Sequence, residues 1–110
     1  MRNLGKNKED KEVYWDLKNL LGQITEEKDV LNFSLHLCKD SLIQIQQFKQ
    51  EFLLEYGNQT EEIVINFYNQ LMELELSVLS QKQEIERRQL QLQEEYEKGK
   101  EKVKRLEERI

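Results

Sequence analysis

The stretch Tyr56-Gly57-Asn58-Gln59-Thr60-Glu61 decides how this chain folds. Gly57 can adopt the left-handed conformation that ends many helices. Asn58 is a favoured N-cap, and Glu61 stands three residues on, as in a capping box. A helix stop is therefore followed at once by a helix start. Read this way, residues 10–56 form one helix, 57–60 a turn and 61–110 a second helix, folded back as an antiparallel hairpin. The alternative is one continuous helix with a one-residue skip, because the chain has no Pro to forbid it.

The sequence on either side of the turn repeats in heptads. Before it, Tyr14, Leu17, Leu21, Ile24, Lys28, Leu31, Leu35, Cys38, Leu42, Ile45, Lys49, Phe52 and Tyr56 alternate in steps of three and four. Only Lys28 and Lys49 interrupt an otherwise apolar seam, and the repeat outlasts the three or four heptads that define a coiled coil. Continued past the turn, this register meets Gln59, Asn66 and Gln70 and fails. A second register begins one residue later, with Val64, Leu71, Val78, Ile85, Leu92, Gly99 and Leu106 as its stronger row. Tyr68, Glu75, Lys82, Gln89, Tyr96 and Val103 form the weaker row. Ile110 ends on this seam without a cap, so the native chain is expected to continue. Residues 1–9 are polar and aperiodic and read as a frayed tail.

At 1.5 Å per residue, residues 10–56 span about 70 Å and residues 59–110 about 78 Å. They match, and folding them together brings Leu21 near Glu95. Apolar residues outside the seam favour the hairpin further. Val30, Phe33 and Leu37 form a stripe of their own; Ile43, Phe48, Leu53, Leu54, Ile63, Ile65, Phe67, Met72, Leu74, Leu76 and Leu79 add to it. A helix that is apolar on most faces must be covered on most faces. Pairing of the hairpin with further helices, as a dimer or four-helix bundle, would cover them. From Ser80 onward the chain is charged with a narrow seam, and Glu84 with Arg88, Glu94 with Lys98 and Glu101 with Arg105 are spaced to pair along one helix.

Composition excludes most other folds. Of 110 residues 37% are hydrophobic and 35% charged, against the roughly 25% charged of an average domain. There is no Pro, no Ala, and only four Gly. Sandwiches and barrels need turn residues every 8–12 positions, and doubly wound sheets need Gly-rich loops. The chain reads as one all-α coiled-coil domain.

Charge and chemistry bound the function. The net charge is −5, and residues 13–85 alone carry −7. An acidic body repels nucleic acid and anionic lipid, so neither is an expected partner. The longest uncharged run, residues 63–72, is far short of the about 20 residues that span a membrane. The N-terminus lacks the apolar core of a secretory signal, and Cys38 stands alone, which points to a reducing, cytoplasmic setting. His36 and Cys38, two residues apart on a helix, project about 200° from one another and cannot act as base and nucleophile. No cluster has metal-ligand spacing and no Gly-rich loop suits a phosphate. The basic run from Lys98 to Arg105 is flanked by Glu94, Glu95, Glu97, Glu107 and Glu108, unlike a basic DNA-reading helix.

Neither an enzyme nor a cofactor or metal is expected. The expectation is a coiled-coil oligomerisation and protein-interaction module, a homodimer when isolated, within a larger scaffold. Lys28 and Lys49 at a positions would restrict which pairings are allowed. Trp15, Val30, Phe33 and Leu37 are candidate partner contacts, since exposed aromatics often anchor interfaces. The alternative is a helical chaperone or adaptor that holds a partner's amphipathic helix in an apolar groove.

Overall fold

The computed structural model describes residues 4–109, with side chains from residue 8. Two helices account for nearly all of them: α1, Leu4–Tyr56, and α2, Glu62–Arg109. They pack antiparallel as a helical hairpin, and a continuous helix is excluded. The first helix starts earlier than composition suggests. Residues 4–9, within the expected frayed tail, are helical, since Leu, Lys and Glu favour helix and no Pro intervenes. Residues 1–3 and the seam residue Ile110 lie outside the described residues.

The turn differs in detail from its sequence signature. No described residue has positive φ, so Gly57 does not adopt the left-handed conformation. Its role is steric instead. The Gly57 N–H donates to the Leu53 carbonyl at 2.8 Å, and a Cβ at Gly57 would run into that same oxygen. The Gln59 N–H then closes a tight turn onto the Tyr56 carbonyl at 3.0 Å. The cap is also displaced. The Glu61 carbonyl accepts the first helical bonds, from Val64 and Ile65 at 3.1 Å each, so the cap is Glu61 and not Asn58. A carboxylate there suits the positive end of the helix dipole.

The chain divides into two compact units. The terminal unit joins the residues through Leu31 to those from Arg88 onward. Its core is Ile24, Leu92, Val103 and Leu106, with Leu92 fully buried. Gly99 is buried with them because Leu21 leans into the space a side chain would fill; a Cβ at Gly99 would lie 2.9 Å from Leu21 Cδ2. Leu21 therefore meets Gly99, one helical turn beyond Glu95 along α2. Polar contacts between the helices agree with this register. Tyr14 Oη donates to Glu107 at 3.1 Å, Lys28 Nζ to Gln93 at 2.7 Å, and Arg109 lies 3.5 Å from Asp10.

The turn unit is Asn32–Arg87. Its seam holds Leu35, Cys38, Leu42, Ile45, Phe52, Val64, Leu71, Val78 and Ile85. All are half-buried except Cys38, which is buried. Next to the turn the seam is aromatic. Phe52 stacks on Tyr68 with centroids 6.1 Å apart and also meets Phe67 at 5.3 Å and Tyr56 at 5.1 Å. One ion pair crosses the seam, Lys49 Nζ to Glu75 Oε1 at 3.2 Å.

Candidate interaction surface

Lys28 and Lys49 occupy the seam as the heptads imply, and both find partners inside the chain. Lys28 bonds Gln93 and lies 4.9 Å from the centre of the Tyr96 ring. Lys49 pairs with Glu75 and lies 5.9 Å from the centre of Tyr68. The side chains of Lys49 and Glu75 are only 19% and 18% exposed. Each cation thus bridges α1 to α2. Polar seam residues that satisfy each other across a pair specify alignment, and here the alignment is that of the hairpin on itself.

The remaining candidates are at the surface. Trp15 is exposed and meets Tyr14 edge-on, with centroids 5.4 Å apart. Val30, Phe33 and Leu37 are exposed, Phe33 at 65%. Trp15 and Val30 belong to the terminal unit, Phe33 and Leu37 to the turn unit. His36 is exposed beside Asp40, with Nε2 to Oδ2 3.4 Å, while Cys38 is buried. Among the described residues no group of three or more His, Cys, Asp or Glu could hold a metal ion.

Local ion pairs follow spacing only in part. Arg105 does pair with Glu101 at 2.8 Å. Arg88, however, leaves Glu84 and crosses to Glu27 at 3.0 Å, while Arg87 takes Glu84. The Glu27 carboxylate raises the Arg88 pKa, chiefly through this hydrogen bond. Likewise the bond to Glu107 holds the Tyr14 hydroxyl above its ordinary pKa, helped by desolvation and by the carboxylate's charge.

The distribution of apolar surface is uneven. Among the described residues nineteen large apolar side chains are exposed, and fourteen of them lie in the turn unit. They border the seam on both edges. Leu53, Ile65, Met72 and Leu79 each follow a d position and form one edge. Phe48, Phe67 and Leu74 each precede an a position and form the other. On this second edge the side chains converge. A groove of about 460 Å³ is lined by Ser41, Gln44, Ile45, Phe48, Leu71, Leu74 and Val78. Phe48 divides it from a hollow of about 450 Å³ toward the turn, walled by Phe52, Tyr56, Ile63, Val64 and Phe67 and rimmed by Glu55. A larger depression in the terminal unit has Lys18, Lys98, Lys100 and Lys104 interleaved with Glu97, Glu101 and Glu107, so its charges nearly cancel.

Ser41 was not evident as a groove residue from the sequence. The available signal was spacing: Ser34, Ser41 and Phe48 recur every seven residues just ahead of an a position, as do Phe67 and Leu74. Small residues at such positions open a groove beside the seam.

The fold and surface define an all-α helical hairpin with an apolar turn unit. No family model matches the chain, and neither a curated protein nor a solved structure matches it. Among the described residues no helix is long and apolar enough to cross a membrane.

Proposed function

We propose that this chain is a non-catalytic coiled-coil oligomerisation and interaction module, a subunit or segment of a larger cytoplasmic scaffold of cytoskeletal, tethering or motor-adaptor type. One observation carries the reading: apolar side chains of the turn unit line both edges of the helix pair and are uncovered. Contiguous exposed apolar surface marks sites of association, and two such edges suit a hairpin with neighbouring helices on each side. The mechanism is assembly. The seam pairs α1 with α2, and the edges recruit further helices from a second copy or another coiled-coil protein. In isolation the chain is expected to form a homodimer. The single buried thiol suits a reducing compartment. A second reading, a helical chaperone or adaptor, is favoured by the groove beside Phe48, whose shape suits an inserted helix.

Sedimentation equilibrium over a wide concentration range tests assembly, with Leu53→Glu and Ile65→Glu as variants at exposed positions of one edge. The wild type should associate. The double variant should sediment as a monomer with an unchanged helical circular dichroism spectrum. A wild type that stays monomeric at every concentration and binds no hydrophobic dye would overturn the reading.

A further inference from the structure

The two edges of the turn unit are not equivalent in charge. The edge with Leu53, Ile65, Met72 and Leu79 also carries Lys39. The groove edge carries no lysine or arginine. The groove beside Phe48 is lined by uncharged residues only, and the hollow toward the turn has Glu55 as its sole ionised lining residue. Glu51 lies on the same face of α1, three residues after Phe48 and four before Glu55. The other cations of the turn unit are committed elsewhere: Lys49 to Glu75 in the seam, Lys82 to Glu86 at 3.2 Å, and Arg87 to Glu84. Across the whole unit nine carboxylates face four cations.

We infer that the groove between Ser41, Phe48 and Leu74 receives a basic amphipathic helix from another protein, with apolar residues seated in the groove and Lys or Arg set against Glu51 and Glu55. The inference rests on the reading of the turn unit as an interaction surface and names the partner of one edge.

Geometry argues for a helix. Groove walls at Ser41 and Phe48 on α1, and at Leu74 and Phe67 on α2, are seven residues apart. That is about 10.5 Å of rise, the spacing of successive heptad positions on an added helix. Ser41 supplies the low wall that lets side chains enter. Charge argues against a second copy of this chain in the same groove. Packing one such edge on another would bring the Glu51 and Glu55 carboxylates of both copies to one interface with no cation of that edge between them, which costs rather than gains.

The test uses the full chain and two fluorescein-labelled synthetic peptides. Both are amphipathic helices with Leu at heptad spacing; one has Lys at every flanking position and the other Glu. Fluorescence anisotropy reads affinity. The Lys peptide should bind at least about tenfold tighter than the Glu peptide, and the preference should shrink as salt rises. Glu51→Lys with Glu55→Lys should abolish or reverse that preference. Both positions are exposed, so circular dichroism should confirm an unchanged fold. Leu74→Glu should abolish binding of both peptides. Equal affinity for the two peptides overturns the inference, as does failure of both to bind. So does a wild-type dimer that Leu74→Glu converts to monomer, since a second copy then fills the groove. Association that survives Leu74→Glu, with no peptide bound, removes this inference and leaves the assembly reading standing. A monomer that binds neither peptide nor dye removes both.

Discussion

The terminal unit and the turn unit are built from the same two helices and the same heptad repeat, yet they use their surfaces in opposite ways. In the terminal unit 26 of 54 residues are charged, thirteen of each sign. Its apolar residues are concentrated at the seam, where Ile24, Leu92, Val103 and Leu106 are buried. In the turn unit only 13 of 56 residues are charged, and fourteen large apolar side chains stay exposed around a seam that buries only Cys38. A narrow apolar stripe can be covered by one neighbouring helix. A broad one cannot, and what remains uncovered is available to a partner. The comparison teaches that a two-helix seam is sufficient for the terminal unit and insufficient for the turn unit.

The largest effect that can break this contrast comes from truncating leucines. Leu92→Ala removes a fully buried side chain and should lower stability by about 2–5 kcal/mol in urea unfolding. Leu76→Ala, at a position 62% exposed, should leave the dilute monomer almost unchanged and weaken association instead. Equal losses in the dilute protein would mean that the turn unit has a packed core after all.

The seam cations provide the next comparison. Lys49→Met leaves Glu75 without its partner in a half-buried seam and should cost about 1–3 kcal/mol. Pairing it with Glu75→Leu should recover most of that loss, because apolar replacement of a buried ion pair is often neutral or stabilising. In the terminal unit, Arg88→Gln breaks the more exposed contact to Glu27 and should leave the urea midpoint nearly unchanged. A penalty as large as that of Lys49→Met would show that this surface ion pair anchors the register.

Glycines give a smaller and sign-reversing set. Gly57→Ala forces a Cβ onto the Leu53 carbonyl and should destabilise by about 1–2 kcal/mol. Gly22→Ala meets nothing within 4 Å and should stabilise α1 by about 0.5–1 kcal/mol. Thermal unfolding of the two variants should therefore shift in opposite directions.

The smallest effect is at Tyr14. Its hydroxyl pKa is raised in the folded chain, so the stabilising contribution is present below the ordinary tyrosine pKa. It is lost as pH rises through the folded value. Tyr14→Phe should match the wild type in strong alkali and differ from it slightly near neutrality. A difference that grew with pH would contradict the bond to Glu107.

Much of the architecture was legible before any coordinates. The second register is displaced by one residue from the first, and helix-ending residues stand where the registers change. Together these favour two helices with a turn, and only the coordinates exclude the continuous helix with a one-residue skip. Finer features were not legible. The Asn58 capping signature competed with Glu61, and local backbone bonding favoured Glu61. The i, i+4 spacing of Glu84 and Arg88 competed with a longer reach to Glu27, and the cross-helix carboxylate won. Neither contest can be judged from spacing alone, because the energies involved are a few tenths of a kcal/mol to about 1 kcal/mol.

By itself the sequence determined the all-α class, the two seams and the place where the register breaks, because heptad spacing and helix-breaking residues act locally and leave their period in the chain. Tertiary structure alone decided which residues meet: Leu21 with Gly99, Lys49 with Glu75, Lys28 with Gln93, and Phe48 with Phe67 and Leu74 at one edge. These pairings depend on how α2 is aligned along α1. A shift of α2 along α1 by one heptad would move the cross-helix contacts while leaving both heptad patterns intact.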